Sequence, residues 1–228
     1  MSLRNRLHAA CGLSAIAFVA VAVWMAACIA PTEQSMGDIQ RVLYVHVSVA
    51  WLGLCGFAVM AVSGVGYLLT RNLRFDHWFQ SAGELGWITS GLTLATGSIW
   101  AHEAWGTWWE WEPRLTASFV LWLIYCAILL VRGSLDDPHQ RARIGGVLGV
   151  MGAADLPLVM MATRWFRGMH PVSPQMDPLM RWTLLVNVLA FTALFAWLIT
   201  ERRKQLRFRQ SNDDLQRTLI GRMKCSHS

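Results

Sequence analysis

Charge is scarce in this chain. Only 15% of its 228 residues are Asp, Glu, Lys or Arg, against about a quarter in a typical soluble domain, whereas 54% are hydrophobic. Cysteine gives no framework either: the five, at 11, 28, 55, 126 and 225, show no paired spacing, and the first four fall in apolar runs. That excludes a disulfide scaffold or a zinc site. Internal repeats and low-complexity tracts are lacking, and the joining segments are too short to leave room for a soluble domain.

What the chain has is apolar length. Runs at roughly 9–30, 42–70, 83–101, 115–131, 144–163 and 179–200 each approach or exceed the ~20 residues a helix needs to cross a ~30 Å hydrocarbon layer. The expected fold is all-α: a polytopic membrane protein with six transmembrane helices over 1–200 and a basic tail over 201–228. The first run follows Arg4 and Arg6 and ends in MAACIA before Pro31, which also suits a secretory signal. Its apolar stretch is longer than the about 7–15 residues of a signal core, so it is read as a retained span.

Lysine and arginine set the orientation, because cytoplasmic segments hold the excess. Fifteen of the 20 lie at the N-terminus, in the second and fourth connections and in the tail; Arg41, Arg114, Arg164, Arg167 and Arg181 lie in the alternate segments. Both termini are thereby placed in the cytoplasm, and the first, third and fifth connections outside. The net charge of +6 is concentrated in the tail, in ERRKQLRFRQ. A basic run beside a span meets anionic lipid headgroups, and no nucleic acid partner is expected.

The third connection holds WGTWWEWEPRLT, Trp105 to Thr116, with four indoles in seven positions. Read as a helix, Trp105, Trp108, Trp109 and Glu112 fall at i, i+3, i+4 and i+7, so three indoles share one face and Trp111 turns away. Pro113 disfavours helical geometry at Glu112 and opens the next helix. A short interfacial helix ending at span four is the expectation. A membrane belt accounts for one or two indoles at a boundary; four, with Trp100 close by, form a platform for a ligand.

His46, in RVLYVHVSVAWLG near the outer end of span two, shares its helix face with Ala50 and Gly53, small residues that let a neighbouring helix or a flat ligand come close. An ionisable side chain inside a span is a functional candidate because its burial without a partner is costly; a bond to a neighbouring helix is the structural alternative. His170, in RWFRGMHPVSPQMDP, lies on the same side by the charge rule, and Pro171 biases it toward extended backbone. Two imidazoles from different outward elements, flanking an aromatic platform, describe bis-histidine ligation of haem. Indoles would border the macrocycle, and Arg41, Arg114, Arg164 and Arg167 are all placed to meet its propionates.

Other polar residues carry less. His102, in IWAHEAWG, is a third outward histidine, either a rival ligand or a residue at headgroup level. His77 and His139 fall on the cytoplasmic side, out of reach. Asp155 precedes Pro157 in span five and marks either a polar group in a bundle cavity or a kink. Glu84 needs no special role at the inner boundary of span three.

With these residues assembled, the chain resembles the haem-handling proteins of cytochrome c maturation, specifically the CcmC type. The resemblance covers nearly the whole chain: six spans, a WWD-type segment between spans three and four in which WGTWW precedes a Trp–acid pair and RLT, and one histidine in each of the other two outward elements. It implies that Trp105, Gly106, Thr107, Trp108, Trp109, Trp111, Glu112, Arg114 and Leu115 form the haem-binding segment, with His46 and His170 as axial ligands to a non-covalently held b-type haem. It also implies a bacterial inner-membrane protein that holds haem at the periplasmic face and delivers it to the haem chaperone CcmE. The ABC transporter pair CcmA and CcmB, with the small subunit CcmD, would drive release of the loaded chaperone. Such a protein is a carrier more than an enzyme, assisting covalent attachment of haem to its chaperone with no catalytic side chain of its own.

The sequence departs from the pattern at Glu112, where the motif usually has aspartate, and in having Glu110 and Pro113 as its neighbours. AHEAWG is similar to the CcsA and CcmF relatives, which ligate haem to apocytochrome, but those chains are longer and carry more spans and histidines. From other classes, a b-type cytochrome electron carrier would place both ligands on helices at membrane depth. A solute transporter is suggested by Asp155 and Pro157 but lacks repeat halves.

Overall fold

A computed structural model describes residues 3–34, 36–166, 168, 170 and 176–226, with side chains up to residue 219 except those at 4, 213, 214 and 217. Among these residues there is no strand element, only an isolated bridge between Glu33 and Gly37. The helices are α1 (Leu3–Trp24), prolonged by a π-helical turn over Met25–Ile29, α2 (Gln40–Thr70), α3 (Leu73–Trp105), α4 (Pro113–Gly133), α5 (Pro138–Gly152), α6 (Asp155–Trp165) and α7 (Pro178–Ser226). Since α5 and α6 follow one another as a broken rod, the chain makes six passes between two ends.

Among the described residues, five segments are long and apolar enough to cross a membrane: Asn5–Ile29, Gln40–Thr70, Pro113–Gly133, Pro138–Trp165 and Pro178–Asn212. This is a multi-pass membrane protein. The sixth rod, α3, lies outside that set because Ser90, Thr93, Thr96, Gly97 and Ser98 dilute its hydropathy. It nevertheless runs alongside α2 for most of its length. At 33 residues it is about 50 Å long at 1.5 Å per residue, more than the expected 83–101 and more than a hydrocarbon layer requires.

Close packing of α2 on α3 rests on small residues. A Cβ at Gly56 would sit 2.9 Å from Gly86 Cα and 3.0 Å from the Tyr125 hydroxyl, so the two backbones approach where no larger residue fits. Tyr125, fully buried, donates to the Gly53 carbonyl at 2.8 Å and edges against Phe57 at 4.8 Å. Leu52, Met60, Phe79 and Ile128 belong to the same buried cluster.

The two ends are fastened differently. At the end carrying the α2–α3 and α4–α5 turns, Arg132 is 2% exposed and pairs with Asp76 at 2.8 Å. It also donates to Gln80 at 2.9 Å and to the Arg141 carbonyl at 3.1 Å. His77 and His139 lie at this end, bonded to Gln210 and Tyr67. Glu84 has a partner as well: Arg202 of α7 meets it at 2.6 Å, which ties α3 to the long last helix. Residues 201–226, read in sequence only as a tail, continue α7 without a break.

At the opposite end α1, α3 and α6 terminate and α2, α4 and α7 begin. Arg41 donates to the carbonyls of Ala26 and Ala30 at 2.8 and 3.1 Å, to Asp38 at 3.0 Å and to Thr32 at 3.1 Å. Those bonds occupy the carbonyls that the π turn frees and hold α1 to the start of α2.

Candidate functional site

The Trp-rich connection does not form the short helix its spacing suggests. Helix α3 instead continues to Trp105 and stops at Gly106, whose φ of 76° is left-handed and whose N–H caps the His102 carbonyl, a conformation open chiefly to glycine. Thr107 folds the next turn, its hydroxyl donating to the Trp109 carbonyl at 3.0 Å. Glu112 is then extended, with φ −76° and ψ 157°, and Pro113 opens α4 as expected.

Losing the helix separates the indoles. Trp105 and Trp109 line a cavity of about 630 Å³ between α2, α3, α4, α6 and α7, together with Trp100, Arg114, Leu115, His46 and His170; the volume is that of a small-molecule site. Trp108, expected on the same face, is 58% exposed and stacks on the His102 ring at 4.0 Å. Neither Trp108 nor His102 lines the cavity. Trp111 is 72% exposed and packs against Phe119 and Trp109. Gly106 and Thr107 shape the turn without reaching the cavity, and Ala50 and Gly53 form part of its wall as small residues do.

The two imidazoles arrive from different elements. His46 is six residues into α2, and its Nδ1 is 3.0 Å from the Thr96 hydroxyl. That hydroxyl has one hydrogen and donates it to the Leu92 carbonyl at 2.7 Å. Nδ1–H of His46 must therefore be the donor, which leaves Nε2 with a free lone pair. Gly97, one residue on, makes room for the ring: a Cβ there would lie 2.9 Å from His46 Cε1.

His170 follows α6 and is fixed from two sides. Its Nδ1 bonds to a carboxylate oxygen of Glu112, its backbone N–H donates to the other oxygen at 3.4 Å, and the Trp105 indole meets its ring edge-on at 5.3 Å. A carboxylate accepts only, so Nδ1–H donates and Nε2 is again free. Glu112 does not line the cavity; it stands behind His170, 9% exposed. Burial holds the His170 imidazole below its ordinary 6.5, against the upward pull of the Glu112 charge, so the ring is neutral at neutral pH.

Of the four candidate arginines, Arg114 reaches the cavity. Arg41 is committed to the α1–α2 connection, Arg164 is exposed on α6 and Arg167 lies outside the described residues. The indole N–H groups of Trp100 and Trp109, two residues of the lining, are buried and have no acceptor among the described residues. Two metal-capable nitrogens and an arginine around an aromatic-walled space match what haem offers: an iron, an apolar ring and carboxylates. Thr96, Gly97, Met36 and Met176 belong to this surround and were not singled out from sequence. Thr96 and Gly97 share a helix face with Thr93 and Trp100 by spacing, the one signal by which sequence could have found them.

Of the two readings given to Asp155, the structure has the break in the span. It starts α6 after the turn at 153–154, so the span is broken there, and it is 6% exposed with one carboxyl oxygen unpaired. It does not line the cavity.

Fold and site together define a multi-pass helical membrane protein with a histidine-flanked, tryptophan-walled ligand cavity at one end. The family model described as heme exporter protein C, CcmC, matches residues 1–217, and the chain belongs to that family. Heme exporter protein C of Bradyrhizobium diazoefficiens is 32% identical over 190 residues, covering 80% of this chain and 72% of that protein. The protein of the same name from Escherichia coli K12 is 30% identical over 181 residues, 78% of this chain and 74% of its own length. A putative cytochrome c biosynthesis ccmC-like mitochondrial protein of Marchantia polymorpha is 29% identical over 181 residues, so the likeness extends to an organellar relative.

Proposed function

We propose that the protein holds haem non-covalently, as cargo, between Nε2 of His46 and Nε2 of His170 and delivers it for cytochrome c maturation. The observation that carries this reading is the pair of imidazoles on one cavity, each with Nδ1 engaged and Nε2 free. Neutral imidazoles whose other nitrogen donates to a fixed acceptor are held in the tautomer and orientation that metal ligation needs. Trp105 and Trp109 wall the macrocycle, and Arg114 receives a propionate.

On this reading residues 1–200 form the transmembrane haem-handling unit and 201–228 a cytoplasmic extension, in the bacterial inner membrane with both termini in the cytoplasm. The charge asymmetry supports that orientation, and the cavity is then periplasmic. The acceptor is the chaperone CcmE, which takes haem through its own histidine, and the assembly includes CcmA, CcmB and CcmD. The chain's side chains bind and orient; the reacting groups belong to the haem vinyl and the chaperone. An electron carrier with both ligands on helices fits less well, because His170 lies in a connection.

The test is transfer. Full-length protein in nanodiscs, loaded with haem and mixed with CcmE, should yield CcmE whose haem survives denaturing electrophoresis. His46→Ala and His170→Ala should insert normally and yield none. Transfer at the wild-type level by both variants would overturn the proposal.

A further inference from the structure

Outside the cavity, a line of aromatic rings follows the seam between α3 and α4. Trp109 contacts Phe119 at 6.0 Å, Phe119 stacks on Trp122 at 6.2 Å and 19°, and Trp122 stacks on Trp87 at 6.4 Å and 18°. The Trp87 N–H ends the line against the Cys126 sulfur at 2.9 Å. Cys126 lies thirteen residues into α4, about 20 Å along its axis at 1.5 Å per residue, and so past the middle of a ~30 Å hydrocarbon layer. Exposed Ile88, Leu92, Val120 and Leu123 accompany it on the same two helices. Core aromatic pairs normally bury their faces, whereas Trp87 is 38% exposed and Trp111 72%.

At its upper end the line meets a shallow groove of about 400 Å³, lined by Leu94, Ala95, Ser98, Trp109, Trp111 and Phe119. Three of those residues, Leu94, Ser98 and Trp109, also line the main cavity. The Trp109 indole thus stands between the two spaces, as the wall they share.

We infer that the α3–α4 seam is the membrane-side portal of the site, a stacking track on which haem dissolved in the bilayer reaches the groove and passes Trp109 into the cavity. This rests on the haem reading above. A planar apolar macrocycle is the occupant that the features select together. Partly exposed aromatic rings in a line offer contact area to a flat π-system, and the groove shares Leu94, Ser98 and Trp109 with the cavity in which such a ring would be ligated. Lipid tails or a partner's span need neither the ring alignment nor the shared wall.

The route can be separated from the site. Ala95→Trp fills the groove, and the double substitution Phe119→Leu, Trp122→Leu removes two rungs while leaving the cavity lining intact. Full-length protein in phosphatidylcholine vesicles is loaded with haem either predissolved in the bilayer or presented from water on albumin, and the Soret band is followed in time. Both variants should reach the wild-type final amplitude with slower loading from the bilayer, by about tenfold in the double variant, the scale of two lost ring contacts to haem. Wild-type loading rates from the bilayer in both variants would overturn the portal and assign the seam to lipid tails or a partner helix. No Soret band in the wild type by either route would overturn the haem reading, and the portal with it.

Discussion

Removing the carboxylate of Glu112 tests the reasoning about His170 at a residue that never touches the ligand. In Glu112→Ala, the Nδ1–H and backbone N–H of His170 both lose their acceptor, and at 9% exposure water does not replace it. Loss of such a partner costs about 10–100-fold in metal affinity, or about 1.4–2.8 kcal/mol. Each unpaired buried donor also costs about 1–3 kcal/mol of folding stability, a cost carried with or without haem. Haem titrated into the purified apoprotein at neutral pH, followed by the Soret band, should bind 10–100-fold more weakly on that scale. Glu112→Gln keeps an oxygen for Nδ1–H but removes the charge. It should lose less affinity and raise the haem midpoint potential, because a less polarised imidazole donates less electron density to ferric iron. An alanine variant with wild-type affinity and unchanged potential would refute the assignment of Glu112 as the residue that positions His170.

Three further perturbations separate ligation from stability. Gly97→Ala places a methyl 2.9 Å from His46 Cε1 while gaining about 1 kcal/mol of helix propensity; haem affinity should fall with no loss in the thermal midpoint, and unchanged affinity would show that the ring has room. Because burial depresses the His170 pKa below 6.5, the ring is neutral above that value and remains so somewhat below it. Haem affinity should therefore be flat down to about 6.5 and decline only under it, and a decline beginning above 7 in a pH titration would contradict the buried, neutral ring. The same group contributes constant stability to the apoprotein above 6.5 and loses it as pH falls, since the unfolded chain takes up the proton first. At the other end, Asp76→Ala leaves Arg132 buried without its partner and should cost about 3–5 kcal/mol in unfolding with an unaltered haem spectrum; a changed spectrum would mean the ends are not independent.

The bundle was legible in sequence because hydrocarbon thickness fixes span length, and alternating spans then place the connections. That logic put His46, the Trp segment and His170 at one end, where the structure has them. It failed where local backbone chemistry overrode periodicity. The i, i+3, i+4 spacing of Trp105, Trp108 and Trp109 implied a shared face, but Gly106 in a left-handed conformation and the Thr107 turn interrupt the helix. Trp108 consequently leaves the site for His102. Glu112 was legible as part of a motif but not as the partner of His170, a contact 58 residues away in sequence. Thr96 and Gly97 look like ordinary small residues of a span until the neighbouring helix brings His46 against them. The length of α3 was underestimated because its first ten residues, with Arg74, Asp76 and His77, are too polar to read as span, although the helix runs on through them.

Ligation state in single-histidine variants reaches the central claim most directly. Wild-type protein loaded with ferric haem should show the low-spin absorption and electron paramagnetic resonance signals of two nitrogen axial ligands. His46→Gly and His170→Gly should each become high-spin, with added imidazole restoring the low-spin state in both. A low-spin spectrum that persists in either variant without imidazole would contradict haem held between these two rings.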